Sequence, residues 1–194
     1  MWGSIKYNLA HLLDFKGRDA RQTFWYFVLV VYLFNTALTL IIAIPAYVEM
    51  MSRVFAMSAS NPDPEAIEQI MPSMMGELAD PMMEASVVGA VIFIVLLSAA
   101  FTRRLHDSGL RGWWGLIPLA FYVLSVLQMP KMFSALKDMP APSPEHPFAQ
   151  IQSMQQEMGI TTLLGWVPMI IVIVLGVRKS TDGPNEYGNE PVRF

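Results

Sequence analysis

The sequence contains no cysteine. Disulfide bonds, thiolate metal sites and a cysteine nucleophile are therefore excluded, and either redox compartment remains compatible with the chain.

Charge is also scarce. Only 15% of the 194 residues are charged, whereas about a quarter is usual for a soluble domain, and 54% are hydrophobic. The formal net charge of −3 shows no basic excess, so we expect no nucleic-acid partner.

Four long apolar stretches lack any Asp, Glu, Lys, Arg or His. They are residues 24–48, 85–101, 113–129 and 160–177. A helix needs about 20 apolar residues to cross a bilayer, with a range of about 17–25. The sequence therefore predicts an all-α integral membrane protein, a single membrane domain over 1–194 with four transmembrane helices.

The spans carry no Asp, Glu, Lys, Arg or His, which disfavours an ion-coupled pump. A weakly polar channel or an accessory to small-molecule efflux remains an alternative.

The basic residues predict the orientation. Ten of the thirteen lie in segments 1–23, 102–112 and 178–194, so the positive-inside rule places these segments and both termini in the cytoplasm. Residues 49–84 and 130–159 then form outer loops, for which we expect helical segments. A bacterial inner membrane is the simplest location.

Methionine is concentrated in those outer loops, which hold all of the fifteen except Met1, Met129 and Met169. Thioethers bind Cu(I), so a copper site is one hypothesis. Methionine also fills the apolar faces of surface helices, and we favour that interpretation because no Cys or His cluster accompanies it.

The N-terminus shows apolar residues at helical spacing: Trp2, Ile5, Leu9, Leu12 and Leu13. Two interpretations stay open. One is an amphipathic helix in the cytoplasmic interface, and the other is a helix packed on the remaining cytoplasmic segments.

Three cytoplasmic segments carry dense motifs: FKGRDARQTFWYF at 15–27, RRLHDSGLRGWW at 103–114 and DGPNEYGNEP at 182–191. Together, in this order, they resemble the Domain of Unknown Function 805 family of small bacterial inner-membrane proteins, of which the YhaH-like proteins are typical. The resemblance implies a fold and a location, but no activity. The long outer loops depart from the short ones expected for that family.

We favour a structural role for the central motif, as a corner between two spans. Asp107 lies three residues after Arg104 and four after Arg103, so it can pair with them if the helix continues. Glycines turn the chain, and Trp113 and Trp114 suit an interfacial aromatic belt. We expect the tail to fold back and form a small cytoplasmic cap, with a mobile tail as the alternative. The residues assigned this structural role are Phe15, Gly17, Leu105, His106, Asp107, Gly109, Gly112, Trp113, Trp114, Asn185, Tyr187, Gly188 and Pro191.

An anion site is the alternative. Guanidinium groups bind phosphate or carboxylate in two-point contacts, including phospholipid headgroups. The candidate ligands are Arg18, Arg21, Arg103, Arg104 and Arg111. Membrane lipids, with anionic headgroups among them, and other membrane proteins are the partners expected from these segments.

Catalysis by His106 is disfavoured. His106 and Asp107 are adjacent in the chain, so they do not face each other on a helix, and one His beside one Asp is too few ligands for zinc. We therefore expect no catalytic residue, metal or cofactor, and a non-enzymatic scaffold or interaction protein.

Overall fold

The computed structural model describes residues 1–60, 64–137 and 149–191, and this part of the chain is helical, without a β-strand. The helices are α1 (Trp2–Ala10), α2 (Arg21–Ser60), α3 (Pro64–Asp107), α4 (Leu116–Lys137) and α5 (Ala149–Gly176). A short 3-10 helix, Gly112–Gly115, precedes α4.

In the part of the chain that the structure describes, three helical stretches are long and apolar enough to cross a membrane: Arg21–Ser60, Ser73–Asp107 and Gly112–Ala135. They contain the first three predicted spans. The fourth corresponds to a shorter apolar stretch of α5, Thr162–Gly176.

The helices extend well beyond the predicted spans. α2 continues to Ser60 and α3 already begins at Pro64, so most of the predicted loop 49–84 continues the two flanking helices. Residues 49–60 contain neither glycine nor proline, and the first strong helix breaker is Pro62. In the second predicted loop, 138–148 lie outside the described residues.

Contacts divide the chain into two compact units. The first comprises 1–36, 89–124 and 164–194. Its hydrophobic core is formed by α2 and α3, with the following buried side chains: Phe24, Phe27, Val31, Ala100, Phe101 and Leu105.

The second unit comprises 37–88 and 125–163. Exposed ion pairs lie on its surface: Arg53 contacts both Glu49 and Glu77 at 2.6 Å, and Lys137 contacts Asp80 at 2.5 Å. Exposed pairs of this kind contribute little to stability.

α3 ends in a Schellman motif, a helix stop in which two amides bond back to the last turn. The amide of Leu110 donates to Leu105 O at 3.0 Å, and that of Gly109 donates to His106 O at 3.1 Å. Gly109 has a φ of +72°, which a side chain would strain. This stop turns the chain from α3 toward α4.

Gly112 is required for close packing after that turn. A Cβ atom there would lie 2.7 Å from Thr102 Cγ2 and 3.0 Å from His106 Nε2. The Thr102 side chain cannot rotate freely, because its hydroxyl donates to Ser98 O at 2.9 Å.

We therefore expect Gly112→Ala to lower the free energy of unfolding by roughly 1–3 kcal/mol, the usual cost of overpacking. Gly165→Ala is the matched control, since a Cβ there meets nothing within 4 Å. Alanine should stabilise that helix by about 0.5–1 kcal/mol. Thermal unfolding in detergent measures both, and equal midpoints for the two variants would contradict this account.

Candidate functional site

Three segments distant in the sequence meet in the first unit. We call the assembly of residues 1–20, 103–115 and 176–191 the cap. It contains all three dense motifs, except for the part of the first motif that lies within α2. Its centre is formed by three arginines whose side chains are buried, Arg18, Arg103 and Arg104.

Arg18 joins the N-terminal segment to α3 and to the tail. Its Nε and Nη2 donate to Asp107 Oδ1 at 3.1 and 3.0 Å. Its remaining N–H groups donate to the carbonyl oxygens of Thr181, Gly183 and Gly188, at 2.8, 2.7 and 3.3 Å. A guanidinium has five N–H donors, and all five of these are used.

Arg103 joins α3 to the N-terminal segment. Its Nε donates to Asp19 Oδ1 at 3.1 Å and its Nη2 to Asn8 Oδ1 at 2.7 Å. Its Nη1 donates to the carbonyl oxygens of His11, at 2.8 Å, and Asp14. In return, the amide of Asp19 donates to Arg103 O at 3.1 Å.

Arg104 joins α3 to the end of α5. Its Nε donates to Gly176 O at 2.9 Å, and its Nη2 donates to Arg178 O. Its Nη1 pairs with Asp107 Oδ2 and lies 3.5 Å from Ser180 Oγ.

Asp107 is the shared acceptor of this network. Its fully buried carboxylate accepts hydrogen bonds from Arg18, Arg104 and the Ser180 hydroxyl. The i,i+3 pairing with Arg104 is the one expected from the sequence, whereas Arg103 pairs with Asp19 instead.

The cap buries three guanidinium groups with two carboxylates. Carbonyl oxygens at helix ends supply further negative potential, since the C-terminal end of a helix carries a partial negative charge. Arg103 contacts His11 O after α1, and Arg104 contacts Gly176 O at the end of α5. Burial raises the pKa of the Asp19 carboxyl, against the opposing effect of Arg103.

The tail folds back onto the end of α3. The amide of Thr181 donates to Asp107 O at 2.8 Å, and the side chain of Asn185 donates to His106 O at 3.0 Å. The rings of Tyr187 and His106 stack with centroids 3.9 Å apart and planes 1° from parallel. These contacts satisfy the last carbonyls of α3, which a helix end leaves without partners.

The five candidate anion ligands fall into two groups. Arg18, Arg103 and Arg104 are enclosed, whereas Arg21 and Arg111 are exposed. Among the described residues neither exposed arginine forms an ion pair; Arg21 only approaches Val177 O at 3.5 Å.

The other motif residues lie around this network. Gly17 O lies 3.2 Å from His106 Nδ1, Leu105 belongs to the core, and Gly188 O accepts from Arg18. Trp113 and Trp114 stack on each other at 4.7 Å and are exposed. Phe15 is exposed and Pro191 half-buried.

Sequence reasoning missed four polar participants: Asn8, Asp19, Ser180 and Thr181. Asp19 offered a usable signal. It is the only carboxylate in FKGRDARQ, and buried arginines require carboxylate partners. Asn8 had no comparable signal, because an amide on a short helix is usually solvated.

The imidazole of His106 is engaged within the cap. Nδ1 of His106 faces Gly17 O, and one face of its ring is covered by Tyr187. In the ranges that the structure describes, no group of three or more His, Asp or Glu could hold a metal ion.

Fold and site together define a class: a helical protein whose described residues include three helices suited to a membrane, with terminal segments joined by buried arginines. The comparison with protein families is more specific. Residues 12–189 match the family described as "Protein of unknown function (DUF805)", and the chain belongs to this family. No curated protein and no solved structure matches the chain.

We expect Asp107→Asn to cost about 3–5 kcal/mol of stability, because it removes the negative charge shared by two buried guanidinium groups. Asp182→Asn is the control, since Asp182 pairs with Lys179 at the exposed surface and such pairs contribute little. Thermal unfolding of the purified protein in detergent compares them. Similar midpoints for both variants would show that the buried network does not hold the cap together.

Proposed function

We propose that this chain is a non-enzymatic, integral protein of the bacterial inner membrane with four spans. Its cap is a rigid cytoplasmic platform through which it associates with other membrane components.

The hydrogen bonds of Arg104 support the fourth span. α4 leaves the cap at Gly115, and α5 ends in the cap, where Gly176 O accepts from Arg104. If α4 crosses the bilayer, α5 must cross it back to reach Arg104. The apolar stretch Thr162–Gly176, extended by Ile160 and Thr161, has the composition for that crossing.

The distribution of charge supports the orientation. The cap segments and their immediate continuations hold ten of the thirteen basic residues, and basic segments remain in the cytoplasm. Both termini then lie inside the cell.

The absence of native cysteine allows a direct test of topology. We expect Ser60→Cys and Ser134→Cys to react with a membrane-impermeant maleimide on intact spheroplasts. Glu186→Cys should react only in inverted vesicles. All three positions are exposed, so reactivity reports sidedness rather than burial. Labelling of Glu186→Cys on spheroplasts would contradict the proposed orientation.

The main support for the scaffold proposal is that the buried arginines donate their hydrogen bonds to acceptors within the chain. The donors of Arg18 are all bonded within the chain, and those of Arg103 and Arg104 are almost all so. A ligand anion would have to displace these acceptors. The network therefore favours a structural role for the central motif over a substrate site.

The surroundings of His106 support a non-enzymatic role. A general base must reach a proton of the substrate, but here the imidazole contacts Gly17 O and the ring of Tyr187. His106 is more consistent with a packing element between α3 and the tail.

Anionic lipid or small-anion binding is the second candidate, and the exposure of Arg21 and Arg111 favours it. Neither side chain is in an ion pair within the described residues, and guanidinium groups bind phosphate well. On this account only the exposed arginines bind the anion.

One purification separates the two candidates. The protein is isolated in native-lipid particles, and co-purifying proteins and lipids are identified by mass spectrometry. The scaffold proposal expects a reproducible set of co-purifying proteins that Arg21→Gln/Arg111→Gln does not alter. The second candidate expects enriched anionic lipid, lost in Arg21→Gln/Arg111→Gln but retained in Lys179→Gln. Particles with neither protein nor lipid enrichment would contradict both.

A further inference from the structure

The inward face of α1 carries two polar side chains. Ser4 and Asn8 are completely buried, and Ile5 is 8% exposed. Asn8 donates to Ser4 O at 2.9 Å and accepts from Arg103 at 2.7 Å. The inward face of α1 therefore binds a buried guanidinium.

Large apolar side chains are exposed on the outward face of α1 and in the segment that follows it. Trp2 is 66% exposed and Leu9 50%, and positions 2, 6 and 9 fall on one narrow face of α1 at helical spacing. In the turn after Ala10, Leu13 is 80% exposed, and Phe15 is 47% exposed just beyond it. Such a cluster of exposed apolar groups marks an interaction surface.

Basic groups accompany that surface. Lys6 lies on the same face, with its Nζ 5.4 Å from the centroid of the Trp2 ring. Lys16 is exposed just beyond Phe15, and its side chain forms no ion pair in the described part of the chain. Lysines beside Trp and Leu are typical of helices that lie on an anionic bilayer.

Contacts with α3 hold α1 beside the end of a candidate span. Asn8 and His11 O both bond to Arg103, which lies four residues from the end of the candidate span Ser73–Asp107. The exposed pair of Trp113 and Trp114 follows at the start of the next candidate span. Tryptophan residues at the ends of spans are typical of the membrane interface.

We propose that the outward face of α1, together with the segment that follows it, docks on the surface of the bilayer that the spans cross. Trp2, Leu9 and Leu13 lie among the acyl chains, and Lys6 and Lys16 lie beside anionic phospholipid headgroups. α1 thus joins the rest of the cap to the lipid: Asn8 binds Arg103 on one face, and the opposite face binds the leaflet. This inference depends on the proposed membrane insertion.

Single cysteines test this in the full-length protein. Leu9→Cys, on α1, and Leu13→Cys, in the turn that follows it, are spin-labelled after reconstitution in bilayers of phosphatidylcholine with 30% phosphatidylglycerol. We call these two the α1 labels. Collision rates with oxygen and with a water-soluble nickel chelate then report depth. We expect both labels to be accessible to oxygen and shielded from nickel, at about 5–10 Å into the interface.

Two reference labels separate this inference from the proposal on which it rests. Val91→Cys lies on an exposed position of α3 within a candidate span, and Glu186→Cys on an exposed position of the tail. If Val91→Cys contacts lipid while both α1 labels collide with nickel as often as Glu186→Cys, docking of α1 is wrong and insertion stands. If Val91→Cys also contacts water, insertion itself fails. Shielding of the α1 labels from both reagents would indicate a second copy of the chain and would overturn the lipid assignment.

The lysines test the choice of anionic lipid. We expect the α1 labels to lie deeper with phosphatidylglycerol than in phosphatidylcholine alone. Lys6→Gln/Lys16→Gln should abolish this difference, whereas Lys179→Gln should preserve it, because Lys179 lies in the tail and pairs with Asp182. If the α1 labels lie at equal depth in both bilayers while Lys6 and Lys16 are unchanged, the electrostatic part of the proposal is wrong.

Discussion

The cap depends on the carboxylate of Asp107, which is fully buried and accepts hydrogen bonds from Arg18, Arg104 and Ser180. A buried charge is tolerated only when it is paired and hydrogen-bonded. This one carboxylate pairs with guanidinium groups from two segments, Arg18 from the N-terminal segment and Arg104 from α3. If the N-terminal segment separated from α3, Arg18 would lose its carboxylate and Asp107 would lose one of its two guanidinium partners. The arrangement of the cap is therefore specified by charge pairing as much as by apolar packing.

Burial divides the basic residues into two kinds. Arg18, Arg103 and Arg104 hold segments together by binding carbonyl oxygens and carboxylates, including those at the ends of helices. Arg21 and Arg111 remain at the surface. The central motif, for which the sequence favoured a structural role over an anion site, uses Arg103 and Arg104 for bonds within the chain. Our proposals therefore assign contacts with lipids or other proteins to the exposed residues of the cap, including those of α1.

The arrangement of pairs could be predicted only where partners are close in the sequence. Asp107 and Arg104 are three residues apart on one helix, so their pairing follows from helical spacing. Arg18 and Asp107 are 89 residues apart, and Arg103 and Asp19 are 84 apart. Nothing local distinguishes these pairs from others of the same charge. The apolar periodicity of α1 could also be recognised in the sequence. The structure shows that the polar residues Ser4 and Asn8 of this helix face the protein, because Arg103 requires an acceptor there.

The sequence by itself determined the helical class, the family and three of the long apolar helices. These properties depend on composition, periodicity and the order of motifs, which are local. Only the tertiary structure decided which arginines are buried, which carboxylate each one meets and which face of α1 points outward. Those outcomes depend on segments that meet in space, because the partner of a buried guanidinium is set by where the chain returns and not by its neighbours in sequence.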